Sequence, residues 1–506
     1  MRYLCCAGVL CAACCGCASS ESPLGEAEPA AKSSPSAPGL PTPVRENLPE
    51  FSPPSARRPT PAPLPAGTPE EPAAAPREVG LPPAEPEPAT RFPLWPLPDV
   101  DAGRVQGAGI RKLSGQHLTL YTDLPSAPSV DELPVVFDAA VPQWSAYFDI
   151  PLEATRDWQL VGYLIQDKDL FRSTGLLPEN LPPFLNGYQR LAELWVYEQP
   201  SDYYRRHLLL HEGTHAFMNW ALGGTGPPWY MEGAAELLAT HAWRGDQLTL
   251  GYFPQTKEDT PHWGRIKIIQ DDLAANRGLT LLQIMQYDHR AHLRLEPYAW
   301  CWAAAAFLDG QPAYRAAFRQ LRKRVRKPED EFTQRFCEEL SACSQPVSRQ
   351  WALFAHDLDY GYDLEREAIQ SRPVLAAGEA AVTVEVAADR GWQSTGLSLL
   401  QGKRYRLQAS GRFQIDDRPR VWWCEANGVT MRYHRGLPVG LLLGAVLDEE
   451  HAPEDATPLM QPDPVGLGGD LRIDRSGTLY LRINDSPSEL GNNAGHLAVS
   501  VQLLPD

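Results

Sequence analysis

His211-Glu212-Gly213-Thr214-His215, followed downstream by Glu232-Gly233-Ala234-Ala235-Glu236, decides how this 506-residue chain is read. On an α-helix, positions i and i+4 share a face, so His211 and His215 can offer two imidazoles to one ion while Glu212 points along the same side. The surroundings support a helix: Ser201 or Asp202 can cap its start, Leu208, Leu209 and Leu210 give it an apolar run, and Gly223-Gly224 ends it. After that turn a second helix is expected near Trp229, with Glu232 in its first turns and Glu236 one turn further on the same face. A hydrolytic zinc site needs three protein ligands and one position left open for water. We therefore expect His211, His215 and Glu232 to bind zinc and Glu212 to serve as general base. Glu236 would accept the spare N–H of a ligating histidine and fix its tautomer. An HExxH pentad alone is a weak signal, because solvated helix faces carry such pairs too; the acidic pair on a second helix makes the combination specific.

The stretch from His211 to Glu236 resembles the gluzincin metallopeptidases, whose third ligand is a glutamate on the helix after HExxH. Trp229-Tyr230-Met231-Glu232-Gly233-Ala234-Ala235-Glu236 is similar to the W-L-N-E-G-x-A-E segment of aminopeptidase-N-like enzymes, with a spacer two residues shorter. The similarity is greater to bacterial HExxH proteins that carry a G-P-P-W-x-x-E-G-x-A-E segment. Tyr298-Ala299-Trp300-Cys301-Trp302-Ala303-Ala304 resembles the segment bearing the transition-state tyrosine in those enzymes, which implies that Tyr298 donates a hydrogen bond to the oxyanion. An aromatic, alanine-rich packing helix has the same composition, so both readings stand. The G-x-M-E-N segment that captures a substrate's amino group is replaced by Leu194-Trp195-Val196-Tyr197-Glu198. These residues read as a short strand before the active-site helix. In gluzincins such an edge strand pairs with the substrate backbone, which implies a substrate-binding place for Trp195, Val196 and Tyr197.

The resemblance implies metal-assisted hydrolysis of a protein or peptide substrate, with Glu212 moving a proton from water to the leaving amine. The competing reading is a non-catalytic surface protein that binds carbohydrate or adheres through an inactive peptidase fold. Retention of both the ligands and the base favours the enzyme.

The two ends of the chain bear on where this happens. Residues 1–19 combine an early arginine, an apolar run and small residues, and read as a secretory signal too short to span a bilayer. Six of the ten cysteines lie in it: Cys5, Cys6, Cys11, Cys14, Cys15 and Cys17. Cys11-Ala12-Ala13-Cys14 resembles a bacterial lipobox, which implies a lipid on Cys14 and a membrane attachment through it. A cysteine metal cluster is the alternative, against which the irregular spacing and apolar context argue. Residues 20–108 are crowded with Pro, Ala, Glu and Ser, too poor in apolar periodicity to offset ordering entropy, and are expected to form an extended disordered linker. The expected location is the bacterial cell envelope, lipid-anchored or secreted. A net charge of -17 argues against nucleic acid as a partner. The basic run from Arg319 to Lys327 reads as a solvated helix face. Cys337 and Cys343 are close enough in sequence to bridge, but four scattered cysteines are no disulfide framework.

The expected fold class is α+β. Residues 109–370 should form a gluzincin-like metallopeptidase domain, a small mixed sheet followed by a helical part, with strands at 116–122 and 158–166 and a helix at 130–148 despite Pro134 and Pro142. Residues 376–506 change to short strands with turn residues, at 381–386, 405–409, 471–473, 479–483 and 497–501, and should form a separate all-β sandwich. Within it, Asn484-Asp485-Ser486-Pro487-Ser488-Glu489-Leu490-Gly491-Asn492-Asn493-Ala494-Gly495 is similar to the calcium loop of galactose-binding lectins related to PA-I. That resemblance implies calcium bound by Asp485, Asn492 and Asn493 and by the backbone carbonyls of Glu489 and Ile415, an all-oxygen set that suits the ion. A polar turn joining two strands is the plainer account. The sugar-contacting histidine and glutamine of those lectins have no counterpart between Cys424 and Gly440, so carbohydrate is an expected partner without a defined sugar.

Overall fold

Leu160-Val161-Gly162-Tyr163-Leu164-Ile165 is buried along its whole length, as a strand covered on both faces must be. It is the centre of a five-stranded sheet built from β1 (Arg111–Ser114), β2 (Leu118–Thr122), β3 (Leu160–Ile165), β4 (Gly187–Arg190) and β5 (Glu193–Tyr197), in the order β1-β2-β3-β5-β4. The inner pairs are parallel and the two outer pairs antiparallel. Alternate side chains divide between the faces. Leu118, Leu120, Leu160, Leu164, Leu194 and Val196 join the helical core, while Tyr121, Tyr163, Ile165 and Trp195 pack with Phe171 and Leu177 on the other side.

The computed structural model describes residues 92–184, 186–289, 294–341, 347–448 and 457–505. The expected signal segment, Cys14, Cys343 and most of the expected linker lie outside the described residues. The described part is α+β, with several sheets and a β-rich C-terminal region. The linker ends earlier than residue 108. Phe92 and Trp95 pack against the helical core, Pro93 accepts a hydrogen bond from Trp220 Nε1 at 3.0 Å, and helix Ala102–Gly107 buries Val105. Apolar residues sparse in the local sequence are here used as anchors, which a composition argument overlooks.

Helix Leu133–Phe148 places Pro134 in its first turn, where the missing N–H is harmless, and accommodates Pro142 while burying Phe137, Ala140, Val141 and Trp144. Those rings receive helix Asp202–Ala221. A Cβ on Gly213 would stand 2.7 Å from both Phe137 and Trp144, so the glycine inside the pentad allows the two helices to close. Ser201 caps the second helix by accepting from the backbone N–H of Tyr204. Helix Pro228–Ala239 follows, then helices Arg265–Ala274 and Glu296–Gly310. Gly233 gives the Pro228–Ala239 helix its close approach to the last of these, since a Cβ there would lie 2.9 Å from the carbonyl oxygen of Cys301.

Four arginines of the basic run have partners in the fold, two of them far away in the chain. Arg319 forms a two-pronged pair with Asp309 at 2.7 and 2.9 Å, Arg322 meets Asp149 at 2.6 Å, Arg324 pairs with Glu339, and Arg326 donates to the carbonyl of Leu222. Among the described residues no helix is long and apolar enough to cross a membrane.

The C-terminal sandwich packs a sheet containing Asn427–His434, Leu437–Leu447, Gly477–Ile483 and Gln393–Leu399 onto one made of Gly468–Arg472, Arg404–Ser410, His496–Leu503 and Val382–Ala387. Both contribute to one core that includes Val386, Leu399, Leu407, Leu481 and Val499. The sandwich also meets the rest of the fold through two ion pairs, of which the first is buried and the second reaches the surface. Arg482 donates to both carboxylate oxygens of Glu367, at 2.9 and 3.3 Å, and Arg435 pairs with Asp357 at 2.6 Å.

Candidate metal centre

Helices Asp202–Ala221 and Pro228–Ala239 bring the expected ligands to one point. His211 Nε2 lies 3.1 Å from His215 Nε2 and 3.2 Å from Glu232 Oε2, and His215 Nε2 is 3.6 Å from the same oxygen. All three side chains are 5% exposed, and their ligand atoms lie within 4.8 Å of one another. Burial alone would depress the His211 imidazole, but Glu232 and Glu236 outweigh it and push it up to about 10. The two neighbouring carboxylates thus favour positive charge on this imidazole. Two imidazole nitrogens and a carboxylate oxygen aimed at one another fit a zinc ion, which removes the mutual crowding of their lone pairs.

Glu212 is buried beside this cluster, and its Oε2 has no hydrogen-bond partner among the described residues. Burial raises its carboxyl above the usual range, opposed by His211 and His215. Gly187 of β4 covers it at very short range. Tyr298, in the first turn of helix Glu296–Gly310, stands with its ring centroid 6.1 Å from that of His211. Burial, together with Glu232, Glu212 and Glu236, pushes its phenol well above the ordinary value, so it keeps its proton for donation.

Glu236 comes near the first histidine, with Oε1 3.4 Å from His211 Nδ1. Two of its other neighbours were not anticipated. His207 Nε2 lies 3.4 Å from Oε2, and Arg265 donates to both oxygens at 3.0 Å. Burial would raise the Glu236 carboxyl, but Arg265 and His207 hold it well below the usual range. His207 stands one helical turn before His211, so i, i+4 spacing could have found it. Arg265 has no local signal. His207, His211 and Glu236 also group closely enough to hold an ion. A cation there would share Glu236 with a guanidinium already charged, so this group supports His211 rather than forming a second ion site.

One expectation is corrected. The strand holding Trp195, Val196 and Tyr197 is not an edge: its backbone pairs with β3 on one side and β4 on the other. Trp195 and Val196 are buried, and the hydrogen bonds a substrate would need are taken. The edge beside the centre is β4, Gly187–Arg190. Its short polar segment is weak in strand propensity, so the sequence hid it. A separate cavity of about 560 Å³, lined by Tyr203, Arg206, His241, Trp243, Arg244 and Tyr252 among others, lies at the N-terminal end of the pentad helix and excludes the three ligand residues.

In the sandwich, Asp485 is 1% exposed, and burial raises its carboxyl above the ordinary value. Asn493 Nδ2 donates to Asp485 Oδ2 at 3.1 Å and to the Ala388 carbonyl at 3.2 Å; Asn492 Nδ2 donates to Glu489 Oε2 at 2.7 Å. The side-chain oxygens of Asn492 and Asn493 are buried without hydrogen-bond partners among the described residues. The backbone of Gln414 exchanges hydrogen bonds with Ala494 at 2.8 and 3.1 Å, which lays Ile415 alongside the loop. Glu489 presents its carbonyl to the N–H of Asn492 at 3.1 Å, leaving one lone pair for another partner. Orphaned oxygens beside a buried carboxylate suit a calcium ion.

No family model and no curated protein matches the chain. Among solved structures it is similar to the EclA N-terminal domain, a PllA-like lectin, at 19% identity and a TM-score of 0.19, over 25% of this chain and 100% of that one. It is also similar to Aeromonas hydrophila PliG, a periplasmic inhibitor of g-type lysozyme, at 10% identity and a TM-score of 0.17, over 27% of this chain and 99% of that one. A third likeness is to IMPa from Pseudomonas aeruginosa, solved with an O-glycopeptide, at 11% identity and a TM-score of 0.14; it spans 79% of this chain and 43% of that one. Likeness at this level assigns neither family nor activity.

Proposed function

We propose that the chain is a zinc-dependent metallopeptidase of the bacterial cell envelope, lipid-anchored through Cys14 or secreted, that hydrolyses peptide bonds. The observation that carries this reading is the convergence of His211, His215 and Glu232 with Glu212 buried beside them. When bound, zinc supplies Lewis acidity for the scissile carbonyl and lowers the pKa of a coordinated water. Glu212 accepts the proton of the attacking water at its carboxylate and returns it to the departing amine. Tyr298 donates its phenolic hydrogen to the oxyanion of the tetrahedral intermediate. Glu236 holds His211 in the tautomer that keeps Nε2 bare. The edge of β4 offers backbone N–H and carbonyl groups to an extended substrate beside Glu212.

The sandwich is assigned a docking role, with calcium held by Asp485, Asn492 and Asn493 together with the carbonyls of Glu489 and Ile415, and carbohydrate as its partner class. Purified full-length protein incubated with a mixed peptide library tests the catalytic reading. Zinc-dependent, chelator-sensitive cleavage is expected; a zinc-loaded protein that cleaves nothing would instead favour a surface-binding protein with an inactive peptidase fold.

A further inference from the structure

We propose that Arg265 is a positioning residue of the metal centre: its guanidinium fork fixes the plane of the Glu236 carboxylate, and through it the rotation of the His211 ring. The inference rests on the zinc reading above. Each Glu236 oxygen faces two groups. Oε1 has Arg265 Nη2 at 3.0 Å and His211 Nδ1 at 3.4 Å, whereas Oε2 has Arg265 Nε at 3.0 Å and His207 Nε2 at 3.4 Å. Two parallel N–H donors on a rigid plane define the orientation of a carboxylate in a way that one ammonium cannot. With that plane set, Oε1 stands 3.4 Å from Nδ1 of the ring whose Nε2 lies 3.2 Å from Glu232 and 3.1 Å from His215.

Arg265 is itself held from several sides. It is 4% exposed, its Nη1 donates to the Trp263 carbonyl at 3.2 Å, and Trp263 stands edge-on to Trp302 at a centroid distance of 4.6 Å. Gly264, at φ +64, supplies the left-handed turn that swings Arg265 inward at the start of its helix. The guanidinium is thus a fixed reference on a packed element, the condition under which a supporting residue can orient a ligand.

The test compares full-length wild type, Arg265→Lys and Glu236→Gln by zinc titration against a chromophoric chelator and by the visible spectrum of the cobalt(II)-loaded proteins. Wild type should take up one zinc. Arg265→Lys keeps the charge but loses the fork, and should bind zinc about 10- to 100-fold more weakly with displaced cobalt bands. A residue that served folding alone would lower thermal stability and leave both readouts unchanged, so wild-type affinity with an unshifted spectrum in Arg265→Lys overturns the proposal. Should that variant not fold, Arg265→Gln is read the same way, with Glu236→Gln as the reference for loss of the carboxylate itself: weakened zinc binding upholds the proposal and wild-type affinity overturns it. Wild type that takes up no zinc would sink the metal reading itself, an outcome separate from any difference between variants.

Discussion

The backbone of Gly187 passes over the carboxylate of Glu212 so closely that a Cβ on it would stand 2.5 Å from Oε1 and 2.9 Å from Cγ. The edge strand and the Glu212 carboxylate are therefore set against each other by the absence of one methyl group. Gly187→Ala must push Glu212 aside or lift β4. Because a displacement of about 1 Å near a reacting group can lower turnover about 100-fold, activity on peptide should fall by that order while zinc content holds. Wild-type kcat/KM in the alanine variant would show that this contact does not position the base.

Glu212→Gln removes the proton acceptor and keeps the volume. Zinc should stay bound, since Glu212 is not among the three converging ligands. Peptide turnover should drop by about 100- to 10,000-fold, the usual contribution of a positioned acid–base group. Metal analysis and initial rates on the same sample check both halves, and undiminished cleavage would assign the base elsewhere.

Glu232→Ala takes the only carboxylate out of the ligand set and leaves two imidazoles on one helix. Stoichiometric zinc should be lost after dialysis at neutral pH, with activity gone and not restored by modest added metal. Full retention of zinc, measured by atomic absorption, would refute the assignment of this ligand.

Calcium and protons should compete for Asp485. Burial raises its folded-state carboxyl above the unfolded value, so the calcium-free sandwich binds more protons folded than unfolded and gains stability as pH falls through that range. Calcium needs the ionised form, and its stabilising effect should therefore be present at neutral pH and vanish on acidification. Melting curves with and without about a millimolar calcium read this directly. Coincident curves at neutral pH would leave the loop as a polar turn.

Arg482 and Glu367 join the sandwich to the helical part through a pair whose side chains are 8% and 3% exposed. Arg482→Met strands a buried carboxylate and should destabilise the protein by about 3–5 kcal/mol. The double variant Arg482→Met with Glu367→Met should recover most of that loss, because no unpaired charge is left. Denaturant titrations of the three proteins measure the difference; additive losses would show that the pair is not coupled.

Local periodicity made the pentad helix, the Glu232 helix and the strands at 382–387, 404–410 and 496–503 readable, each within a residue or two of where it lies. It also placed Glu236 on the same helix face as Glu232, since i, i+4 geometry belongs to the helix itself. Strands Gln393–Leu399 and Leu437–Leu447 escaped because they are buried along nearly their whole length and show no alternation.

What residue order could not settle is which backbone covers which. That Gly187 rests on Glu212 and that Arg265 reaches Glu236 follow from packing between separate elements of the chain, and the β4–β5 hairpin is set against the helix in the same way. Nothing in a local pattern encodes such register; it is selected only when competing burial and hydrogen-bond demands are met together in the closed core. The side chains of the candidate centre were thus written locally, whereas their mutual orientation and the backbone that covers them came from packing.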